Sequence, residues 1–140
     1  MTTEQQPRRP IPPDDPDLTP FWEGCRRHEF LLQRCKKCSH YIWHPRAYCG
    51  NCQSDDTEWV TAKGTGTVYS YTIVYQAAHP FFSPQIPYVV AYIELDEGIQ
   101  VMSNLIDVDP AKVEVGMPVE VTFEDVNDEF SVYLFHPKDR

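Results

Sequence analysis

The sequence predicts a mainly β chain in which an N-terminal helix and a rubredoxin-like zinc ribbon precede a five-stranded barrel of the OB type. Three observations lead there. Cys35-Lys36-Lys37-Cys38 is followed ten residues later by Cys49-Gly50-Asn51-Cys52, and two CxxC pairs at that range supply four thiolates for one tetrahedral ion. From Gly64 onward, short runs of β-branched and aromatic residues alternate with turn residues, the pattern of consecutive short strands. The chain has 140 residues, room for a small metal-held module and one small barrel. An immunoglobulin-like sandwich wants about seven strands, more than the length beyond the cysteines provides.

The elements follow in order. Residues 1–18 carry prolines at 7, 10, 12, 13 and 16 with few large apolar side chains, and are expected to form a disordered arm. Residues 19–62 are assigned to a helix plus the ribbon, and 63–140 to the barrel. Thr19-Pro20 reads as an N-cap followed by proline at the first helical position. Phe21, Trp22 and Cys25 give this helix an apolar side, and Gly24 limits it to two or three turns. Phe30-Leu31-Leu32-Gln33 reads as a ribbon strand leading to Cys35. Trp43-His44-Pro45-Arg46 returns the chain to the second cysteine pair, where Gly50 is free to take positive φ, and Glu58-Trp59-Val60 leaves the ribbon.

In the barrel half, residues 68–75 alternate, with Tyr69, Tyr71, Ile73 and Tyr75 on one face and Val68, Ser70, Thr72 and Val74 on the other. Further strands are expected over 88–95, 99–105, 119–126 and 130–135. Glu97-Gly98 and Asn127-Asp128 mark hairpins, while Asp109-Pro110 and Gly116-Met117-Pro118 bracket a longer crossover. That arrangement is a small Greek-key barrel.

The chemistry concentrates at Cys35, Cys38, Cys49 and Cys52. With four cysteines as ligands no position stays open for water, so the metal is read as structural; zinc is expected, and iron is the alternative that four sulfurs also accept. Disulfides are the competing reading. No signal peptide is recognised before the cysteines, which sets the expectation of a reducing cytoplasm. The fifth cysteine, Cys25, has His28 three residues on, but no third group to orient a nucleophilic pair, so it reads as a packed thiol. His40, His44 and His79 read as surface or packing residues. No catalytic residue is assigned.

Twelve basic against twenty-one acidic residues give a formal net charge of -9, which opposes a polyanionic partner or an anionic membrane. Single-stranded nucleic acid bound by stacking on the tyrosines is disfavoured for the same reason. The basic residues gather around the ribbon, at Arg26, Arg27, Arg34, Lys36, Lys37 and Arg46. They read as solvated residues of the metal turns, with a CoA diphosphate as the sharper alternative. Between Gln76 and Pro87 runs a proline-stiffened connection with Phe81 and Phe82, placed either to cap the barrel or to dock a partner.

Phe-Trp-x-Gly at 21–24, Leu-Leu-Gln-Arg-Cys-x-x-Cys at 31–38, Pro-Arg before Cys-x-x-Cys over 45–52, Glu-Trp-Val at 58–60 and Gly-x-Gly-Thr-Val-Tyr-Ser-Tyr-Thr at 64–72 together carry a resemblance. So do Ile86–Val90, Glu94–Gly98 and Val115–Val119. The chain resembles the acyl-CoA-associated zinc-ribbon plus OB-fold family long called domain of unknown function thirty-five, over residues 19 to about 136. Trp43-His44 departs from the usual aromatic-proline pair. The resemblance implies a non-catalytic accessory subunit, in a hetero-oligomer, of a thiolase-fold enzyme such as a thiolase or a lipid-transfer-protein-like steroid side-chain aldolase. It further implies that acyl-CoA sits at the shared interface. Phe21, Trp22, Phe81 and Phe82 are then the expected partner anchors. The alternative is a stand-alone acyl-CoA-binding protein or hydrolase.

Overall fold

The structure is a computed structural model that describes residues 9–138. The part of the expected disordered arm at residues 1–8 lies outside the described residues. Helix α1 spans Thr19–Arg26, and its cap corrects the expectation. Leu18, not Thr19, is the N-cap, without a side-chain hydrogen bond. A turn at Asp15 already sets the helix going, since Leu18 N–H donates to Asp15 C=O at 2.9 Å and the Thr19 hydroxyl donates to that carbonyl at 3.3 Å. Thr19 therefore lies inside the first turn.

Three short strands make the ribbon sheet: β1 Leu31–Cys35, β2 Tyr41–Ile42 and β3 Thr57–Thr61, in the order β2-β1-β3 and antiparallel throughout. The barrel follows with β4 Thr65–Val74, β5 Tyr88–Leu95, β6 Gln100–Leu105, β7 Pro118–Asp125 and β8 Ser131–Pro137. It closes in the order β4-β5-β6-β8-β7. A 3-10 turn at Pro80–Gln85 joins β4 to β5. The Trp43–His44 and Ile86–Pro87 peptide bonds are cis.

The even alternation expected along 68–75 is broken. A bulge lies between Val68 and Ser70, so Val68 pairs with Ile93 while Tyr71 and Ile73 pair with Ala91 and Val89. Because one extra residue flips the pleat, Val68, Tyr71 and Ile73 share the face of the buried Ile93, Ala91 and Val89. Tyr69 is the inserted residue and is exposed.

One apolar cluster runs from the ribbon into the barrel. Phe21 is its pivot: its ring meets those of Trp22, Phe30, Trp43 and Tyr133 at 5.0–5.6 Å, all edge to face, a favoured aromatic geometry. Helix α1 thereby packs on both β1 and β8. Gly24 makes this approach possible, since a Cβ there would lie 2.7 Å from Leu31 Cγ.

Candidate metal centre and docking surface

The two CxxC turns are built alike. In each, the residue after the second cysteine folds back onto the first: Ser39 N–H donates to Cys35 C=O and Gln53 N–H to Cys49 C=O, both at 2.9 Å. That closure puts Ser39 at φ 64° and Gln53 at φ 67°, the left-handed region usual at such a helical-turn end. Gly50, expected to take positive φ, is not among the left-handed residues. Closing the turn strains the residue that follows it, and the residue within it stays relaxed. A Cβ at Gly50 would meet only Arg46 Nη1, at an ordinary 3.7 Å.

This construction turns the four sulfurs inward. Cys35, Cys38, Cys49 and Cys52 Sγ atoms all lie within 4.8 Å of one another, with Cys35–Cys52 at 3.5 Å and Cys38–Cys49 at 3.6 Å. A tetrahedral zinc with Zn–S bonds of about 2.3 Å needs S···S edges of about 3.8 Å. The donor set therefore fits a zinc ion with little adjustment. Asn51 serves two of the sulfurs: its Nδ2 donates to Cys38 Sγ at 3.5 Å and its backbone N–H to Cys49 Sγ at 3.3 Å. The Asn51 side chain, with the backbone around His40, holds the Cys38 thiol down at about 6. Cys52, despite a lowering hydrogen bond from the Ser54 backbone, is pushed up to about 11 by the neighbouring Cys35 thiol, as closely packed thiols that share protons do.

Sequence reasoning missed Gln33. It is buried on β1, where Nε2 donates to Arg46 C=O at 2.7 Å and Oε1 accepts from Arg46 N–H at 2.9 Å. Nε2 also reaches Thr57 Oγ1 at 3.2 Å. One amide thus clamps the approach to the second cysteine turn and the start of β3. A lone polar residue after three apolar ones was the available signal.

Cys25 is fully buried, and burial pushes its thiol up to about 12, so it is a packed hydrophobe at neutral pH. His28 turns away from it, with Nε2 2.8 Å from Asp125 Oδ1 and its ring stacked on Phe123. These two residues do not meet as a nucleophile and base. His79 caps the 3-10 turn, its Nδ1 accepting from Phe81 N–H at 3.1 Å.

The four expected anchors divide. Phe21 is 1% exposed and belongs to the core, so it is removed from the docking surface; the helix has one buried side, and Phe21 rather than Trp22 points into it. Trp22 is half-buried and lies on the rim of two grooves. One, of about 470 Å³, runs between α1, Ile11, Pro12 and Phe130; the other, of about 310 Å³, is lined by Phe82, Tyr88, Val90 and Met102. Phe81 and Phe82 meet edge to face at 5.0 Å, Phe82 packs on Tyr88, and the Arg9 guanidinium lies 4.8 Å from the Phe81 ring. Arg9 also pairs with Glu124 at 2.8 Å. Of the basic residues near the ribbon, Arg27 pairs with Glu29 at 3.4 Å and Lys36 with Asp56 at 3.8 Å. No helix among the described residues is long and apolar enough to cross a membrane.

Comparison with known proteins agrees with this architecture. Residues 22–58 match the family described as the ChsH2 rubredoxin-like zinc ribbon domain, and residues 59–124 the ChsH2 C-terminal OB-fold domain. A probable enoyl-CoA hydratase alpha subunit of Thermomonospora curvata is 37% identical over 96% of this chain and 42% of its own length. The chain thus spans about two fifths of that relative. A DUF35 domain-containing scaffold protein of Methanocaldococcus jannaschii is 35% identical, with 77% of each chain covered. Benzoylsuccinyl-CoA thiolase subunit BbsA of Geobacter metallireducens is 27% identical over 75% of this chain and 74% of its own. Among solved structures, a chain of the Ltp2-ChsH2(DUF35) aldolase superposes with a TM-score of 0.84 at 35% identity, covering 91% of this chain and 98% of that one.

Proposed function

We infer, from the fact that this chain belongs to the DUF35 family of zinc-ribbon plus OB-fold proteins, that it is a non-catalytic accessory subunit of a thiolase-fold acyl-CoA enzyme. The observation that carries the reading is the near-complete superposition on the DUF35 chain of an aldolase assembly, 98% of which is covered. A thiolase subunit and a hydratase alpha subunit among the relatives support the acyl-CoA context. Which enzyme it joins, a thiolase or a side-chain acyl-CoA aldolase, is a matter of the partner's active site.

Within this reading Cys35, Cys38, Cys49 and Cys52 hold one structural zinc ion. The metal fixes two turns that carry almost no apolar core of their own, and Phe21 fixes the ribbon to the barrel. Such a rigid body presents Trp22, Phe81 and Phe82 to the partner, and acyl-CoA binds where the two subunits meet. Four thiolate ligands at one site and a buried thiol at Cys25 suit a reducing, cytoplasmic setting.

The test is isolation of the tagged chain from extract of its native cells, with quantitative mass spectrometry of what accompanies it. A thiolase-fold protein near one-to-one is the expected result. The purified zinc-loaded chain alone should neither cleave nor hydrate acyl-CoA thioesters above background. Turnover by the partner-free chain would replace this reading with the stand-alone acyl-CoA enzyme.

A further inference from the structure

Strand β4 is paired along its whole length with β5, but with β7 only over Thr65–Thr67. Beyond the bulge at Tyr69, among the described residues, no strand or turn bonds to its second edge. Which groups are open follows from the ladder. Val89 C=O accepts from Asn104 Nδ2 on β6 at 3.1 Å, so Val89 faces away from β4. Residues opposite one another in an antiparallel pair either bond to each other or both face away. Ile73, opposite Val89, and Tyr71, two residues before it, thus direct their N–H and C=O groups to the open edge.

The surface around this edge has an unusual charge pattern. No Asp, Glu, Lys or Arg occurs from Gly64 through Ile93, 30 residues, nor from Gly98 through Ile106, in a chain of net charge -9. These segments supply β4, β6 and all of β5 except its last two residues. Exposed on this neutral sheet are Tyr69 (52%), Tyr71 (38%), Tyr75 (71%), Tyr92 (47%) and Met102 (53%), with Tyr92 and Met102 directly opposite each other. Depletion of charge with enrichment of tyrosine and methionine is the composition of an interface core. An exposed edge is usually blunted by lysine or proline, and neither occurs from Thr65 to Tyr75.

We propose that the open edge of β4 accepts an extended, uncharged segment of the thiolase-fold partner as an added strand, with Tyr92 and Met102 packing on the partner beside it. This rests on the accessory-subunit reading and says where that subunit is engaged. Strand addition satisfies the free Tyr71 and Ile73 groups and draws specificity from alternate side chains. A second copy of this chain is the poorer occupant, because two molecules of charge -9 repel each other on approach.

The experiment uses the thiolase-fold enzyme that accompanies the chain, produced separately and mixed with it. Hydrogen exchange on the wild-type chain should slow over residues 69–75 when the enzyme is added. Tyr71→Pro removes an N–H that has no partner among the described residues, and proline is tolerated at such an edge position. It should keep the melting temperature of the free chain within a few degrees and weaken the complex at least thirtyfold, about 2 kcal/mol. Tyr92→Asp, which places a charge on the sheet without touching the β4 backbone, should weaken it similarly. Should Tyr71→Pro not fold, exchange of the wild-type chain and the affinity of Tyr92→Asp decide. Unchanged exchange over 69–75 with wild-type affinity of the variants overturns the strand addition and leaves the accessory-subunit reading standing. Self-association of the chain that Tyr71→Pro abolishes assigns the edge to a second copy and overturns it too. Absence of any complex with a thiolase-fold enzyme overturns both.

Discussion

Removing the metal should unfold the cysteine turns and spare the barrel. Around the site, the buried apolar residues form a cluster of Cys35, Ile42 and Cys49, two of them ligands. Burial of Ile42 supplies only about 1.5–3 kcal/mol, whereas zinc bound to a four-ligand ribbon supplies about 10–16 kcal/mol. Nothing else in that region approaches the larger figure. The barrel core, from Val68 through Phe135, contains none of the four ligands. Chelation, or Cys49→Ser, should therefore release residues 36–56 while β4–β8 persist. Hydrogen exchange resolved by segment, with elemental analysis for zinc, reads both halves at once. Full protection of 36–56 after zinc is gone would refute the argument, and so would barrel amides losing protection in step with the ribbon.

Cys25→Ser should leave zinc content unchanged yet cost about 1–3 kcal/mol, because a hydroxyl replaces a thiol in a site without a partner; equal metal loss at Cys25 would contradict the ligand assignment. The native Cys25 thiol, pushed up to about 12 by burial, should resist iodoacetamide at pH 8 until the chain unfolds. Gly24→Ala would add about 1 kcal/mol in an open helix, but the Leu31 side chain 2.7 Å from the new Cβ should impose an overpacking cost of about 1–3 kcal/mol; calorimetry should show a lower melting temperature, and a higher one is the contrary result. Hydrogen bonds from His28 and from Ser131 hold the Asp125 carboxyl below its ordinary range. A depressed folded pKa adds stability above the unfolded value, lost as pH falls through the folded one. Wild type should therefore lose stability in acid more steeply than Asp125→Asn, and parallel acid limbs in melting experiments would tell against the contact.

The metal centre was legible because ligand spacing within a CxxC turn is local: four cysteines and two short turns specify it without reference to the rest of the chain. The conformation inside those turns was less so. Positive φ falls on Ser39 and Gln53 because the hydrogen bond closing each turn ends there, and glycine permissiveness at 50 does not outweigh that closure. The bulge at Tyr69 was invisible for a different reason, since only pairing with β5 and release from β7 creates it. Phe21 and Trp22 are neighbours of similar chemistry; what separates core from rim is that α1 packs on β1 and β8 at once, a tertiary fact absent from an eight-residue window.

That packing also bears on how docking and metal are related. Phe21 contacts Phe30 and Trp43 on the ribbon side and Tyr133 on the barrel side, and Gln33 ties the loop carrying Trp43 to β1 through Arg46. The loop ends at Cys49, a metal-site cysteine. A change at the zinc therefore reaches the aromatic joint through a continuous set of contacts, and Trp22 is the next residue along. A partner docked at Trp22, as proposed, would read a surface composed by both modules, whereas the neutral sheet of β4, β5 and β6 belongs to the barrel alone. The two regions separate by this logic: loss of zinc should weaken engagement at Trp22 while the open edge of β4 keeps its shape.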